Sequence, residues 1–246
     1  MHFLKRPTPW IAAALVAVLL VPCGCGGDDS SSGTPAAKSG GDGGVPVDPR
    51  SGKPVTLNGR VKEAIDRGLN FLHGKFDVDK GAWTVEGKPS PGITALIVQA
   101  FALSPRKYTA ADGPFMEKSL AYLASLARPD GSIHDGQLAN YNTSAAVQAL
   151  VTAGGDKYRA VVEHGRNFLL NIQLDSDEGF SEEHKFFGGA GYGGDRRPDM
   201  SNMSLWTDGL LAAGEKPGSD AFKRALNFLE RCQNDSETNP GREKVD

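Results

Sequence analysis

From about residue 59 the chain alternates two hydrophobic patterns. The first is amphipathic. Val61, Ala64, Ile65, Gly68, Leu69 and Leu72 fall three or four residues apart, which puts them on one face of a helix. That stretch ends on Gly68-Leu69-Asn70-Phe71-Leu72. Related segments end three further stretches: Ser119-Leu120-Ala121-Tyr122-Leu123, Gly165-Arg166-Asn167-Phe168-Leu169 and Ala225-Leu226-Asn227-Phe228-Leu229. The aromatic positions 71, 122, 168 and 228 mark an internal repeat.

The second pattern is nearly uncharged and rich in small residues. Ile93-Thr94-Ala95-Leu96-Ile97-Val98-Gln99-Ala100-Phe101 aligns with Asn142-Thr143-Ser144-Ala145-Ala146-Val147-Gln148-Ala149-Leu150. Both align with Asn202-Met203-Ser204-Leu205-Trp206-Thr207-Asp208-Gly209-Leu210. A helix apolar on nearly all sides is a buried helix. Pro91 and Asn142 suit a first turn and Asn202 suits a cap, while Ser104-Pro105, Gly154-Gly155 and Gly214 supply the stops. Each unit therefore reads as an amphipathic outer helix followed by a buried inner helix. Between them lies a glycine loop with an apolar residue to tuck inward: Lys80-Gly81-Ala82-Trp83, Asp130-Gly131-Ser132-Ile133 and Glu178-Gly179-Phe180.

The N-terminal part follows other rules. Residues 1–25 read as an export signal, with Lys5 and Arg6 ahead of an uncharged run from Trp10 to Val21. That run is short for a membrane span, which needs about 20 residues, and suits a signal core. Residues 26–58 contain no aromatic residue and are dominated by Gly, Ser, Pro, Asp and Lys. Such a stretch cannot bury enough apolar area to offset its chain entropy, so it reads as a disordered tether. Residues 59–246 form the repeat domain.

Composition narrows the chemistry. The formal net charge of -3 gives no electrostatic case for nucleic acid. Of the three cysteines, Cys23 and Cys25 lie at the end of the leader, which leaves Cys232 alone in the folded part. A disulfide framework and a Cys-rich zinc site are both excluded. Cys232 follows an Asn-Phe-Leu segment and is expected to pack as a small apolar residue. The five histidines show no paired ligand spacing.

Gly24-Cys25 resembles the end of a bacterial lipoprotein leader, although Pro22 stands where that family usually has Leu. The resemblance implies a lipid on Cys25, with an ordinary secretory signal carrying two incidental cysteines as the alternative; either puts the body outside the cytoplasm, periplasmic or membrane-anchored. The repeats resemble those of squalene and oxidosqualene cyclases and of protein prenyltransferase β-subunits, whose hairpin loops carry a Gln-rich, Gly-Trp signature. Gln173…Gly179-Phe180 and Gly81-Ala82-Trp83 look like weakened copies of it. Phe187-Gly188-Gly189-Ala190-Gly191-Tyr192-Gly193-Gly194, running on to Asn202, is similar to the glycine-rich entry into an inner helix across that superfamily. The resemblance covers about residues 60–235 and implies an all-α fold, an α/α-toroid of helical hairpins around an apolar cavity. A generic helical solenoid is the alternative.

The resemblance also implies where chemistry would sit. Squalene-type cyclases protonate an alkene with an Asp-x-Asp-Asp group at an inner helix start. Here Asp175-Ser176-Asp177-Glu178 and Asp77-Val78-Asp79 lie in the hairpin loops, where solvated carboxylates are expected. Prenyltransferases hold zinc with Asp, Cys and His. Asp199 matches the aspartate, Ser201 stands in the cysteine position, and no histidine follows, so neither a metal site nor a cofactor is expected. Asp199 is the candidate catalytic residue, with helix capping as its structural alternative. Tyr192, Met203 and Trp206 are the candidate ligand-binding residues, with core packing as theirs.

A fourth amphipathic helix, from about Ala221 to Gln233, precedes a polar run, giving an incomplete toroid of about three and a half hairpins. Soluble monomers avoid the large apolar face this would expose. The sequence therefore suggests either a truncated chain or one completed by a protein partner. Two functions follow: an enzyme acting on a long apolar isoprenoid-type substrate, or a non-catalytic tethered scaffold binding lipid or protein. A polysaccharide lyase is a distant third, lacking the basic and calcium-binding clusters that chemistry needs.

Overall fold

The computed structural model describes residues 57–193 and 196–233. The signal, Cys25 and almost all of the tether lie outside the described residues. The chain divides into two compact units, residues 1–71 and 72–246. Of the first, α1 (Leu57–His73) is described, so Leu57 and Asn58 belong to a helix and not to the tether. Within α1 the buried positions are Leu69 and Leu72, whereas Phe71 is exposed.

The second unit holds the repeats. After the end of α1 come three short strands, β1 (Phe76–Asp77), β2 (Ala82–Val85) and β3 (Lys88–Pro89). They form a small antiparallel meander in the order β1-β2-β3, pairing Phe76 with Trp83 and Thr84 with Pro89. The helical patterning does not anticipate this addition. Then follow α2 (Pro91–Leu103), α3 (Pro114–Ser125), α4 (Ala139–Ala149), α5 (Arg159–Asn171), α6 (Met200–Ala212) and α7 (Asp220–Cys232). The inner helices are α2, α4 and α6, each placed where the uncharged pattern predicts. They pack side by side in chain order, α2 on α4 and α4 on α6. The outer helices α3, α5 and α7 each pack against the inner helix that precedes them.

Local chemistry explains the boundaries. Ser90 caps α2, its side chain accepting from the Ile93 N–H, and Pro91 occupies the first turn as expected. α4 starts earlier than its sequence suggests. Leu138 adopts a left-handed conformation, and the helix begins at Ala139 rather than near Asn142. α6 is capped by Asp199, so Asn202 lies inside the first turn and not at the cap. α4 widens into a single π turn over Leu150–Gly154 before the predicted Gly154-Gly155 stop.

The core is the inner layer and the side chains fed into it. Trp83, Phe101, Met116, Leu120, Ile133, Leu169, Trp206 and Leu210 are nearly or fully buried. Each such aliphatic or aromatic side chain contributes about 1.5–3 kcal/mol by leaving water. The loops between outer and inner helix repeat one device. Gly81, Gly131 and Gly188 all have positive φ and lie against the backbone of the next outer helix, at Lys118, His164 and Arg224. Two residues on, the backbone N–H of Trp83 donates to Thr94 Oγ1 and that of Ile133 to Thr143 Oγ1, while that of Ala190 donates to Met203 Sδ.

This equivalence corrects the reading of the third loop. Gly179-Phe180 is not the counterpart of Gly81-Ala82-Trp83; Gly188-Gly189-Ala190 is. Residues 174–187 are an excursion that closes on itself. The Leu174 N–H donates to Gly189 O at 2.8 Å, and the Gly188 N–H donates to Leu174 O at 2.7 Å. Leu174, Phe180 and Phe187 form a small separate apolar cluster inside it.

Candidate functional site

One stripe of α6 mixes methionine, hydroxyl and carboxyl side chains. Met200, Met203, Ser204, Thr207 and Asp208 are spaced by three, one, three and one, which is one helix face. With Leu229 of α7 they line an open groove of about 280 Å³. The repeat explains why it is open. The matching positions of α2, namely Pro91, Thr94, Ala95, Val98 and Gln99, are all buried, and Gln99 Nε2 donates across to Ala145 O of α4 at 3.1 Å. In α4, Thr143, Ser144 and Val147 are fully buried, and a Cβ on Gly209 of α6 would meet Ser144 Cα at 3.0 Å. Among the described residues no inner helix follows α7, and the same stripe on α6 faces outward.

Asp208 stands where α2 and α4 have Gln99 and Gln148. It lies at the groove mouth and makes no hydrogen bond or ion pair among the described residues. Asp208 is exposed as a residue, but partial desolvation of its carboxyl against the groove pushes its pKa above the ordinary aspartate value. A signal for it exists in the sequence: it is the one charged residue in the three aligned inner-helix segments. Attention there falls instead on aspartates in loops and at a helix start.

Those aspartates have structural employment. Asp199 Oδ1 accepts from Ser201 Oγ at 2.5 Å and from the Asn202 N–H at 2.9 Å, and its Oδ2 accepts from Asn202 Nδ2 at 2.6 Å. Desolvation pushes its pKa up, but the Ser201 and Asn202 donors outweigh this and hold it below the usual carboxylate value. The Ser201 hydroxyl thus donates to Asp199 and does not stand beside it as a second metal donor, so the residues present do not fit the prenyltransferase zinc. Asp175, expected to be solvated, is instead buried. Its Oδ2 lies 3.0 Å from Arg224 Nη2, and Arg224 Nε also donates to Gln173 Oε1 at 3.1 Å. Gln173 is fully buried and donates to Gly188 O and Ala221 O. This network ties the end of α5 and the glycine loop to the start of α7. Burial and the neighbouring Asp175 push the Glu178 carboxyl above its ordinary value. Asp77 is held low by the side chain and backbone of Lys80.

The candidate ligand-binding residues separate. Trp206 is fully buried, and its indole N–H donates to Leu169 O at 2.7 Å. Met203 is 1% exposed, with its sulfur accepting from Ala190 N–H, yet it reaches the groove wall. Tyr192 is 43% exposed, and its carbonyl accepts from the Asn140 N–H at the start of α4. The structure does not bring the three to one site; the groove collects Met203 alone of them. Cys232, expected to pack, is an exposed free thiol at the end of α7. Its spacing continues the buried face of Ala221, Ala225 and Phe228, but it is the last residue of α7 and is exposed there.

The Asp199 cap has a measurable consequence. Asp199→Ala is expected to cost about 1 kcal/mol at neutral pH, the scale of a lost helix N-cap. Because the folded-state pKa is depressed, the carboxylate's contribution is present above the unfolded value and is lost as pH falls through the folded one. The gap between native and variant urea midpoints should therefore close as the pH falls below the ordinary aspartate range. A gap that persists in acid would show that the cap does not act through its charge.

A comparison with curated proteins finds no match. The profile of the squalene-hopene cyclase C-terminal domain matches residues 84–243, which include both inner–outer loop devices after β2, the glycine-rich entry and the whole groove. The matched segment covers more than half of the chain. With the alternation of outer and inner helices, this places the protein in the squalene-hopene cyclase C-terminal domain family and in its all-α toroid fold class.

Proposed function

We propose that this is a non-catalytic binding member of the squalene cyclase class, held outside the cytoplasm by its N-terminal segment, whose α6 groove takes an apolar group. The observation that carries this reading is the state of the aspartates around the inner helices. Protonating an alkene requires a strongly acidic carboxyl facing an apolar cavity. Asp199 is ionised and committed to capping. Asp175 is committed to Arg224. Asp208 does face an apolar groove, but burial raises its pKa and makes it a weaker acid. These are the properties of a groove that recognises and does not protonate.

Incubating the full-length protein with squalene is expected to give no cyclised product by gas chromatography–mass spectrometry. The neutral dye Nile red should nevertheless bind saturably, and Ser204→Trp, which fills the groove, should abolish that binding. Product formation that Asp208→Asn removes would sink the non-catalytic reading. It would favour the second one, an enzyme acting on a long isoprenoid-type chain, which the apolar wall of Met200, Met203 and Leu229 also suits. The tether is tested separately. Cys25→Ser should move the protein from the membrane fraction to the soluble fraction of the expressing bacterium and stop incorporation of labelled palmitate. Unchanged partition would remove the lipid anchor.

A further inference from the structure

Residues 174–187 leave the repeat and return to it at one point, where Leu174 pairs with Gly188 and Gly189. A closed loop of about 6–16 residues, packed on its own side chains, can open without unpacking the helices beneath it. Here the loop's own core is Leu174, Phe180 and Phe187. Arginines fasten it from outside. Arg231 of α7 donates to the carbonyls of Glu182 and His184. Arg196 donates to the Glu178 carbonyl and lies over the Phe180 ring at 4.5 Å. Bonds from arginine to backbone carbonyls do not titrate. The fastening at the start of the loop differs, because Arg224 of α7 meets a carboxylate there, Asp175 at 3.0 Å.

We infer that residues 174–187 form a strap whose first turn is latched on α7 by a single proton held between Glu178 and Asp175. Glu178 folds back over that turn, its Oε2 accepting from the Asp175 N–H at 3.3 Å. Its carboxyl also hydrogen-bonds that of Asp175. Two carboxyl groups make such a bond only when one of them is protonated. Asp175 keeps its charge for Arg224, so the proton rests on Glu178, whose pKa is raised by burial and by Asp175. The neighbours offer no substitute. The latch lies on the wall of a polar cleft of about 500 Å³ between α5 and α7. From α5, Arg166 faces the cleft, already paired with Glu215 of the α6–α7 connection. From α7 come Arg224 and Asp220, the latter paired with Lys223, and the strap itself adds Asp177. Among the described residues no cation pairs with the Glu178 carboxylate. Losing the proton sets two carboxylates against one arginine, and the first turn lifts from α7 and widens the cleft. The device is independent of the α6 groove.

Its sign is fixed. With the folded pKa of Glu178 raised, the latch is closed below the ordinary glutamate value and is lost as pH rises through the folded one. His184, further along the strap, would act the opposite way. Its Nδ1 accepts from the Phe186 N–H at 3.1 Å, and protonation in acid would break that bond. Hydrogen–deuterium exchange of the full-length protein, read by mass spectrometry from about pH 4.5 to about pH 8 and corrected for the intrinsic rate, tests the latch. Protection of residues 174–187 should fall by about threefold or more as pH rises, with 139–149 and 200–212 unchanged. Glu178→Gln, which offers Asp175 a neutral donor at every pH, should keep the strap protected throughout. Asp175→Asn, which removes the partner of Arg224, should leave it unprotected throughout. Circular dichroism melts establish that each variant is folded. A strap that loosens in acid, or that ignores pH, would overturn the inference, as would a native pH response in Glu178→Gln. Loss of protection shared by α4 and α6 would also overturn it, because the opening would then be global.

Discussion

Gly188→Ala should unfold the third repeat, whereas Gly179→Ala, nine residues away, should be tolerated. Both glycines have positive φ, at +84° and +81°. A left-handed conformation costs an alanine about 1–2 kcal/mol in either place. The surroundings differ. A Cβ on Gly188 would lie 1.8 Å from the Arg224 carbonyl oxygen and 2.4 Å from its carbon, which are backbone atoms of α7 and cannot rotate away. A Cβ on Gly179 would meet only the end of the Arg196 side chain, at 3.9 Å. Moving α7 would break the Gln173–Ala221 hydrogen bond and the Arg224–Asp175 pair. The expected loss is about 3–5 kcal/mol at Gly188 and about 1–2 kcal/mol at Gly179. Urea-unfolding midpoints decide between them. A larger loss at Gly179 would restore Gly179-Phe180 as the loop equivalent of Gly81-Ala82-Trp83 and refute the register described above.

Truncating Trp206 should be comparably severe, and the two components can be separated. The indole is fully buried between α5 and α7, stacking edge-on near Phe222 at 5.9 Å between ring centroids. Trp206→Ala leaves a cavity and is expected to cost about 3–5 kcal/mol. Trp206→Phe keeps much of the ring but strands the Leu169 carbonyl, for about 1–3 kcal/mol. The same carbonyl of the first repeat, Leu72 O, accepts from the Trp83 indole at 2.7 Å, so Trp83→Phe should carry a similar loss. The donor comes from the loop in one repeat and from the inner helix in the other. A Trp206→Phe variant as stable as the parent would show that the hydrogen bond contributes nothing beyond packing.

How much of this was legible beforehand follows from the range of each interaction. The helices are short-range objects. The spacing of Val61, Ile65, Leu69 and Leu72 and the uncharged runs at 93–101, 142–150 and 202–210 reflect periodicity and burial, which the sequence carries locally. The same holds for the positive-φ glycines at 81 and 131, because only glycine adopts that backbone cheaply. Asp199 as a cap was also within reach, since the donors it serves lie within three residues of it.

By itself, then, the sequence determined the repeat, the alternation of exposed and buried helices, the family resemblance and the absence of a strong acid or thiolate pattern at the inner helix starts. Tertiary structure decided the rest, because the rest depends on contacts between residues distant along the chain. Gly188 rather than Gly179 is the close-approach glycine because α7, some forty residues later, passes over it. Asp175 is buried rather than solvated because Arg224 arrives beside it. Phe71 is exposed where Phe168 and Phe228 of the same motif are buried, a difference that identical local sequence cannot encode. Asp208 becomes a candidate only when the inner helices are laid side by side: Gln99 then has a following helix to bond to and, among the described residues, Asp208 has none, a property of packing that no local pattern of residues records.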